Sequence, residues 1–344
     1  MLTVYSDDHR LQDGKAELEG GKLVPCYEMP RRADLVLARV REVGLGEVVE
    51  PERFGVEPIL RVHEAGFVAF LQSAWDRWTA TKRTFDALPF TWAVRGMRTD
   101  RVPESIDGQL AYYSFDAGTP ITAGTWRAAS SAVDVALTGQ RRVAAGARAV
   151  FSLCRPPGHH AAAGYYGGYC FLNNAAIAAQ AFRDGGAAKV AILDVDYHHG
   201  NGSQSIFYRR GDVFFASLHG HPLDEYPFFL GYEDETGEGP GEGANANFPL
   251  RWGTGFDLWG QALDEACRRI ERWGADALVV SLGVDTYKDD PISRFRLEQG
   301  DYPAIGRRIA ALGLPTHFVM EGGYAVEEIG INAVGVLTGF EEAA

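Results

Sequence analysis

The chain has 344 residues, 46% of them hydrophobic, which suffices for one large α/β domain or two smaller ones. Its 46 acidic residues outnumber 33 basic ones, and the formal charge of −13 argues against nucleic acid while suiting a small cationic substrate. No apolar run is long enough to span a membrane, and four cysteines without a Cys-x-x-Cys pair read as reduced thiols of a cytoplasmic protein.

The first residues, Met1-Leu-Thr-Val-Tyr-Ser-Asp-Asp-His9, lack the basic flank and long apolar run of a signal peptide and read as a first strand. Residues 89–126 form a Gly/Pro-punctuated aromatic stretch with Trp92, Tyr112, Tyr113, Phe115 and Trp126, without clear periodicity. Such a stretch is expected to make contacts or serve function. Buried strands are predicted over 149–153, 190–193, 213–218, 277–282 and 316–320, and helices over 174–184, 256–273 and 302–312. Strands alternating with helices imply right-handed crossovers and a parallel sheet.

Polar, Gly-rich segments follow each strand: residues 154–160, 194–202, 219–221, 283–285 and 321–324. Parallel sheets place their sites at the carboxyl ends of strands, so the five segments are expected to meet in one crevice. Asp194, Asp196 and His198 alternate along an extended chain and should share a face. Asp196 and His198, with Asp285 after Gly283, make two carboxylates and an imidazole. Such a set leaves a position for water, as catalytic zinc requires, and also accommodates Fe(II), Co(II) or Mn(II). The alternative is that backbone amides or a salt bridge satisfy the carboxylates.

His159 and His160 follow a Pro-Pro-Gly turn, and adjacent imidazoles aimed at a metal suit proton transfer. Tyr324 follows Gly322 and Gly323, whose freedom leaves room beside a ligand, and its phenol can donate to an oxyanion. Gly168 permits close approach, and Tyr169 can wall a channel for an alkyl chain.

Together, Arg155-Pro-Pro-Gly-His-His160, Gly167-Gly-Tyr-Cys-Phe-Leu-Asn-Asn174, Asp194-Val-Asp-Tyr-His-His-Gly-Asn-Gly202, Gly283-Val-Asp-Thr286 and Glu321-Gly-Gly-Tyr324 resemble the zinc-dependent histone deacetylase superfamily. Lys15-Ala-Glu-Leu18, Gly108-Gln109 and Gly124-Thr-Trp126 make the chain most similar to its bacterial acetylpolyamine amidohydrolases. The resemblance implies the arginase-deacetylase fold, a single α/β domain over 1–344 with a mostly parallel sheet flanked by helices. It implies zinc on Asp196, His198 and Asp285, His160 as general base with His159 beside it, Asp194 as the carboxylate behind His159, and Tyr324 as oxyanion donor. It further implies a structural potassium site at Asp194, Asp196, His198, Ser217 and Leu218, and a second monovalent site at Phe207, Arg210 and Val213.

By the same resemblance, residues 89–126 mediate a homodimer and roof the site. Tyr226, lent by the neighbouring subunit, and Ile292 line the channel. Two departures stand out. Asn201 replaces the aspartate usual behind the second histidine, which should make His160 less basic. An acidic position that greets the substrate ammonium falls at Gly118, leaving Glu17, Asp107 and Asp116 for that task. The implied reaction is hydrolysis of an acetylated diamine or polyamine, such as acetylputrescine, acetylcadaverine or acetylspermidine, to acetate and free amine. A protein acetyl-lysine substrate is the rival reading.

Overall fold

The computed structural model describes residues 1–343. Among these residues ten strands are present: β1 (Leu2–Val4), β2 (Glu17–Glu19), β3 (Lys22–Val24), β4 (Val48–Val49), β5 (Ala149–Ser152), β6 (Val190–Asp194), β7 (Val213–Gly220), β8 (Asn245–Leu250), β9 (Ala277–Leu282) and β10 (Thr316–Met320). β2 and β3 form a small antiparallel hairpin, and the other eight make one sheet in the order β4-β1-β5-β10-β9-β6-β7-β8. Every pairing in that sheet is parallel.

The central strands are apolar on both faces because helices cover both. On one side, Val150, Ile192, Phe215 and Val279 pack with α3 (Ala65–Ala80), α5 (Thr125–Ala144) and α6 (Asn174–Asp184). On the other, Phe151, Leu193, Phe214 and Val280 pack with α1 (Arg31–Glu42), α8 (Phe256–Trp273), α9 (Tyr302–Ala310) and α10 (Ile329–Glu342). Neighbours along each strand thus feed opposite cores, as the pleat requires. Each such fully buried large side chain contributes about 1.5–3 kcal/mol relative to exposure.

The expected strands and helices are present with small shifts. α6 is capped by Asn173, whose side chain accepts the Ala176 amide at 2.9 Å. α8 stops where Gly274 turns left-handed at φ 78°. α9 ends two residues before the expected boundary, and β7 continues to Gly220. The insert is more regular than its composition suggests. It contains α4 (Ile106–Tyr113), capped by Ser105, and its last two residues open α5. The remaining helices are α2 (Glu57–Leu60) and α7 (Asn201–Phe207). No helix among the described residues is long and apolar enough to cross a membrane.

Candidate active site

Parallel pairing puts the carboxyl ends of β5, β10, β9, β6 and β7 side by side, and the loops leaving them meet at one place. Asp196 and His198 lie just beyond β6, and Asp285 just beyond β9. Their ligand atoms all fall within 4.8 Å of one another. Asp196 accepts the Gly322 amide at 2.8 Å and the His198 amide at 2.9 Å. Asp285 accepts the Tyr197 amide at 2.7 Å and faces His198 Nδ1 at 2.9 Å.

The cradle has no spare room. A Cβ at Gly322 would come within 2.5 Å of Asp196 Oδ2 and 2.6 Å of Asp285 Oδ2. Both carboxylates are fully buried, and among the described residues neither has a lysine or arginine partner. Burial, and then the neighbouring Asp196 charge, push Asp285 up to about 8. Two buried carboxylates facing an imidazole, with neither lysine nor arginine among their partners, fit a divalent cation. Backbone amides and the imidazoles of His159 and His198 also contact these carboxylates.

Asp194 departs from the expected alternation and takes instead the place behind His159 that the resemblance implies. β6 ends at this residue, and its side chain turns to His159 Nδ1 at 3.0 Å rather than joining the ligand group. Burial alone would lower the His159 pKa, but Asp196 and Asp194 outweigh it and push it up to about 10. His160 behaves oppositely. Burial, then His159 and His198, hold it well below the usual imidazole range. Its Nδ1 meets Asn201 Oδ1 at 2.6 Å, while the Asn201 amide nitrogen faces the His160 carbonyl at 3.4 Å. The amide oxygen therefore fixes the proton on Nδ1 and leaves Nε2 as the basic atom.

Tyr324 is buried in the turn after β10, its amide anchored on Asp290 at 2.7 Å. Burial keeps its phenol protonated, raising it well above the usual range. Among the described residues no protein group pairs with its hydroxyl, which leaves a donor for a ligand. Three residues with no assigned sequence role hold this turn. Arg32 donates to the carbonyls of Gly323 at 2.6 Å and Glu321 at 2.7 Å, and its guanidinium lies 4.6 Å from the Tyr324 ring centre. Glu28 bridges Arg32 and Arg155, both buried, through bonds of 2.8 and 2.9 Å. Arg155 also donates to the His9 carbonyl. Arg32 sits among Arg31, Arg39 and Arg41 on α1, so nothing in its local sequence marks it as buried.

A cleft of about 560 Å³ opens onto the ligand group. Its walls include Glu17, Asp116, Gly118, Gly168, Tyr169, Tyr226, Ile292 and Tyr324, with His160 and His198 at the floor. Asp107 is elsewhere: it is paired with Arg83 at 2.7 and 3.0 Å and does not line the cleft. Tyr226 reaches the cleft within its own chain, its ring 5.3 Å from His160 and 6.0 Å from His198, so no neighbouring subunit has to lend it. Glu17 is buried beneath the Tyr169 hydroxyl at 2.8 Å, and burial pushes it up to about 7. Gly322 lies against the carboxylates and Gly323, with φ 132°, against Val284 and Ile329; neither lines the cleft.

The β6–β7 register sets Asp194 opposite Ser217, and the Ser217 hydroxyl meets His219 Nδ1 at 2.8 Å. All four cysteines are free, three of them buried. Cys170 lies near His159 and Glu321, but burial pushes its thiol up, and Glu321 already accepts the amides of Gly158 at 2.6 Å and His159 at 3.2 Å.

This arrangement suits polarising and hydrolysing a slender amide. Residues 26–339 match the histone deacetylase domain. Acetylpolyamine amidohydrolase 2 of Pseudomonas aeruginosa is 65% identical over 341 residues, covering 99% of both chains. The acetylpolyamine amidohydrolase of Mycoplana ramosa is 54% identical, covering 98% of this chain and 99% of its own. The crystal structure of the acetylpolyamine aminohydrolase from Burkholderia pseudomallei superposes with a TM-score of 0.95 at 39% identity, covering 100% of this chain and 99% of that one. The chain belongs to the histone deacetylase family, and its full-length likeness is to the bacterial acetylpolyamine amidohydrolases.

Proposed function

We propose that the chain hydrolyses N-acetyl amides of diamines and polyamines to acetate and the free amine, with zinc held by Asp196, His198 and Asp285. The observation that carries this reading is the buried three-ligand group at the floor of an acidic, aromatic-walled cleft, beside an unpaired Tyr324 hydroxyl. A zinc ion bound there supplies Lewis acidity and lowers the pKa of water from about 15.7 to about 7.

The chain's own groups do the rest. His160 Nε2 takes the proton of the attacking water, since Asn201 occupies Nδ1. The resulting imidazolium then protonates the departing amine nitrogen. His159, held by Asp194, sets the local field. Tyr324 donates its hydrogen bond to the oxygen that gains negative charge. Tyr169 and Tyr226 flank the alkyl chain, and the acidic lining that includes Glu17 favours the cationic far end.

Asp194 and Ser217, paired across β6 and β7, are the side chains that would contribute to a potassium site with Leu218. Exposed Phe90, Val94, Met97 and Val102 support a homodimer through residues 89–126. The site of action we infer is the cytoplasm.

The test is steady-state kinetics of the zinc-loaded protein on acetylputrescine, acetylcadaverine, acetylspermidine and an acetyl-lysine peptide. Preferred turnover of the small amines is expected. Preference for the peptide would move the assignment to protein deacetylation.

A further inference from the structure

Asp116 faces the cleft yet uses its carboxylate inside the protein. Oδ2 accepts the Gly168 amide and the Tyr226 hydroxyl, each at 2.7 Å. Oδ1 accepts the Gly118 amide and the Thr119 hydroxyl, each at 3.1 Å. A carboxylate has about four acceptor positions, so little capacity remains for a ligand.

The two donors on Oδ2 come from distant parts of the sheet. Gly168 lies in the segment after β5 and Tyr226 in the segment after β7, with β10, β9 and β6 between those strands. Both abut His160. A Cβ at Gly168 would lie 2.7 Å from His160 Cγ, and the Tyr226 ring stands edge-on to the imidazole at 5.3 Å. Phe115 extends the contact by stacking on Tyr226 at 5.8 Å. Around Tyr226, Leu223, Phe228 and Phe229 are exposed, while the neighbouring Glu225 accepts from the Tyr197 hydroxyl at 2.6 Å and the Trp252 indole at 3.0 Å.

We propose that the Tyr226 hydroxyl and the Asp116 carboxylate form a cross-brace that fixes the width of the cleft and seats His160, selecting slim acetylated amines over acetyl-lysine in a polypeptide. The selectivity part rests on the amidohydrolase reading above. Asp116 then acts as a positioning residue, through Gly168 and Tyr226, rather than by touching the substrate ammonium. A polypeptide brings its main chain to the mouth, where the Tyr226 segment must yield. The brace resists that movement with a hydrogen bond to a charged group, one of the stronger kinds.

The test is a double-mutant cycle of Tyr226→Phe, Asp116→Asn and both together in the zinc-loaded enzyme. The readout is the ratio of kcat/KM for acetylputrescine to that for an acetyl-lysine peptide. Each single change is expected to lower the ratio about ten-fold, and the double to fall no further than the worse single. The loss on acetylputrescine should appear in kcat, because His160 loses its backing, and the gain on the peptide in KM. Single effects that multiply in the double, or a Tyr226→Phe ratio within about two-fold of wild type, would overturn the proposal.

The same four proteins are also unfolded without substrate. A coupling of about ten-fold in the unfolding constant is expected, and its absence refutes the brace whatever the substrate. Should the wild-type chain turn over no acetylated amine at all, the amidohydrolase reading falls, and the unfolding cycle still judges the brace.

Discussion

Gly168→Ala is the sharpest single perturbation the site offers. Gly168 sits at φ 55°, where an L side chain is strained by about 1–2 kcal/mol. Its added methyl would lie 2.7 Å from His160 Cγ and 3.0 Å from Nε2. Relieving that overlap means shifting the imidazole or the turn, at a further cost of about 1–3 kcal/mol. A stability loss of about 2–5 kcal/mol follows from adding the two. Displacing the general base should lower kcat/KM by about 10²–10⁴-fold, or about 3–5 kcal/mol of barrier. Asp196, His198 and Asp285 lie on other loops, so zinc content should stay near one per chain.

The assay combines kinetics on an acetylated diamine, elemental analysis for zinc and a thermal melt. Gly186→Ala is the control: Gly186 has φ 101° and no atom within 4 Å of its added Cβ, so it should lose stability and keep its rate. A Gly168→Ala enzyme with wild-type kcat/KM would refute the assignment of His160 as the base held by this backbone.

Three further outcomes are expected. Tyr324→Phe should lower kcat by about 10²–10³-fold, the typical value of one oxyanion donor, and near-native turnover would remove that role. Asp285→Ala should leave two protein ligands, and elemental analysis of the purified variant should find little zinc; undiminished zinc contradicts the ligand set. His63, buried with Nδ1 on the Ala162 carbonyl at 2.8 Å and Nε2 accepting the Asn173 amide at 2.9 Å, is pushed down to about 4 by burial. Its contribution to stability is therefore complete above about pH 6.5 and declines as pH falls toward 4, by about 1.4 kcal/mol per unit. NMR titration of the ring should show it neutral at pH 5, and titration near 6.5 would contradict the burial argument.

The five central strands were legible because each is a short apolar run with a polar, Gly-, His- or acid-bearing segment soon after it. The clustering of Asp196, His198 and Asp285 with both histidines was legible for the same reason: they sit where those runs stop. β8 was not, since Asn245-Ala-Asn-Phe-Pro-Leu250 carries no apolar signature. It is an edge strand, tolerant of Pro249, and its asparagines bond Gln204 at 3.0 and 2.8 Å. The two-residue β4 is too short for any pattern to register. Wall residues were harder than floor residues, because their roles depend on which partner a side chain finds. Asp107 finds Arg83, and Asp116 finds Tyr226; their spacing from the motifs cannot distinguish the two. Tyr226 was tied to a neighbouring subunit by the resemblance alone, since nothing in its local sequence shows how closely β7 brings it to His160.

The ionic chain from the His9 carbonyl through Arg155, Glu28 and Arg32 to the turn bearing Tyr324 binds the first tenth of the polypeptide to its last. A shortened version starting beyond α1 would retain every reactive group and still strand Arg155 as a naked cation in the interior, with nothing gripping the phenol's turn. Trimming or swapping that leading segment is thus an operation on catalysis, and anyone grafting this cleft onto another scaffold would have to carry the opening forty-odd residues along with it.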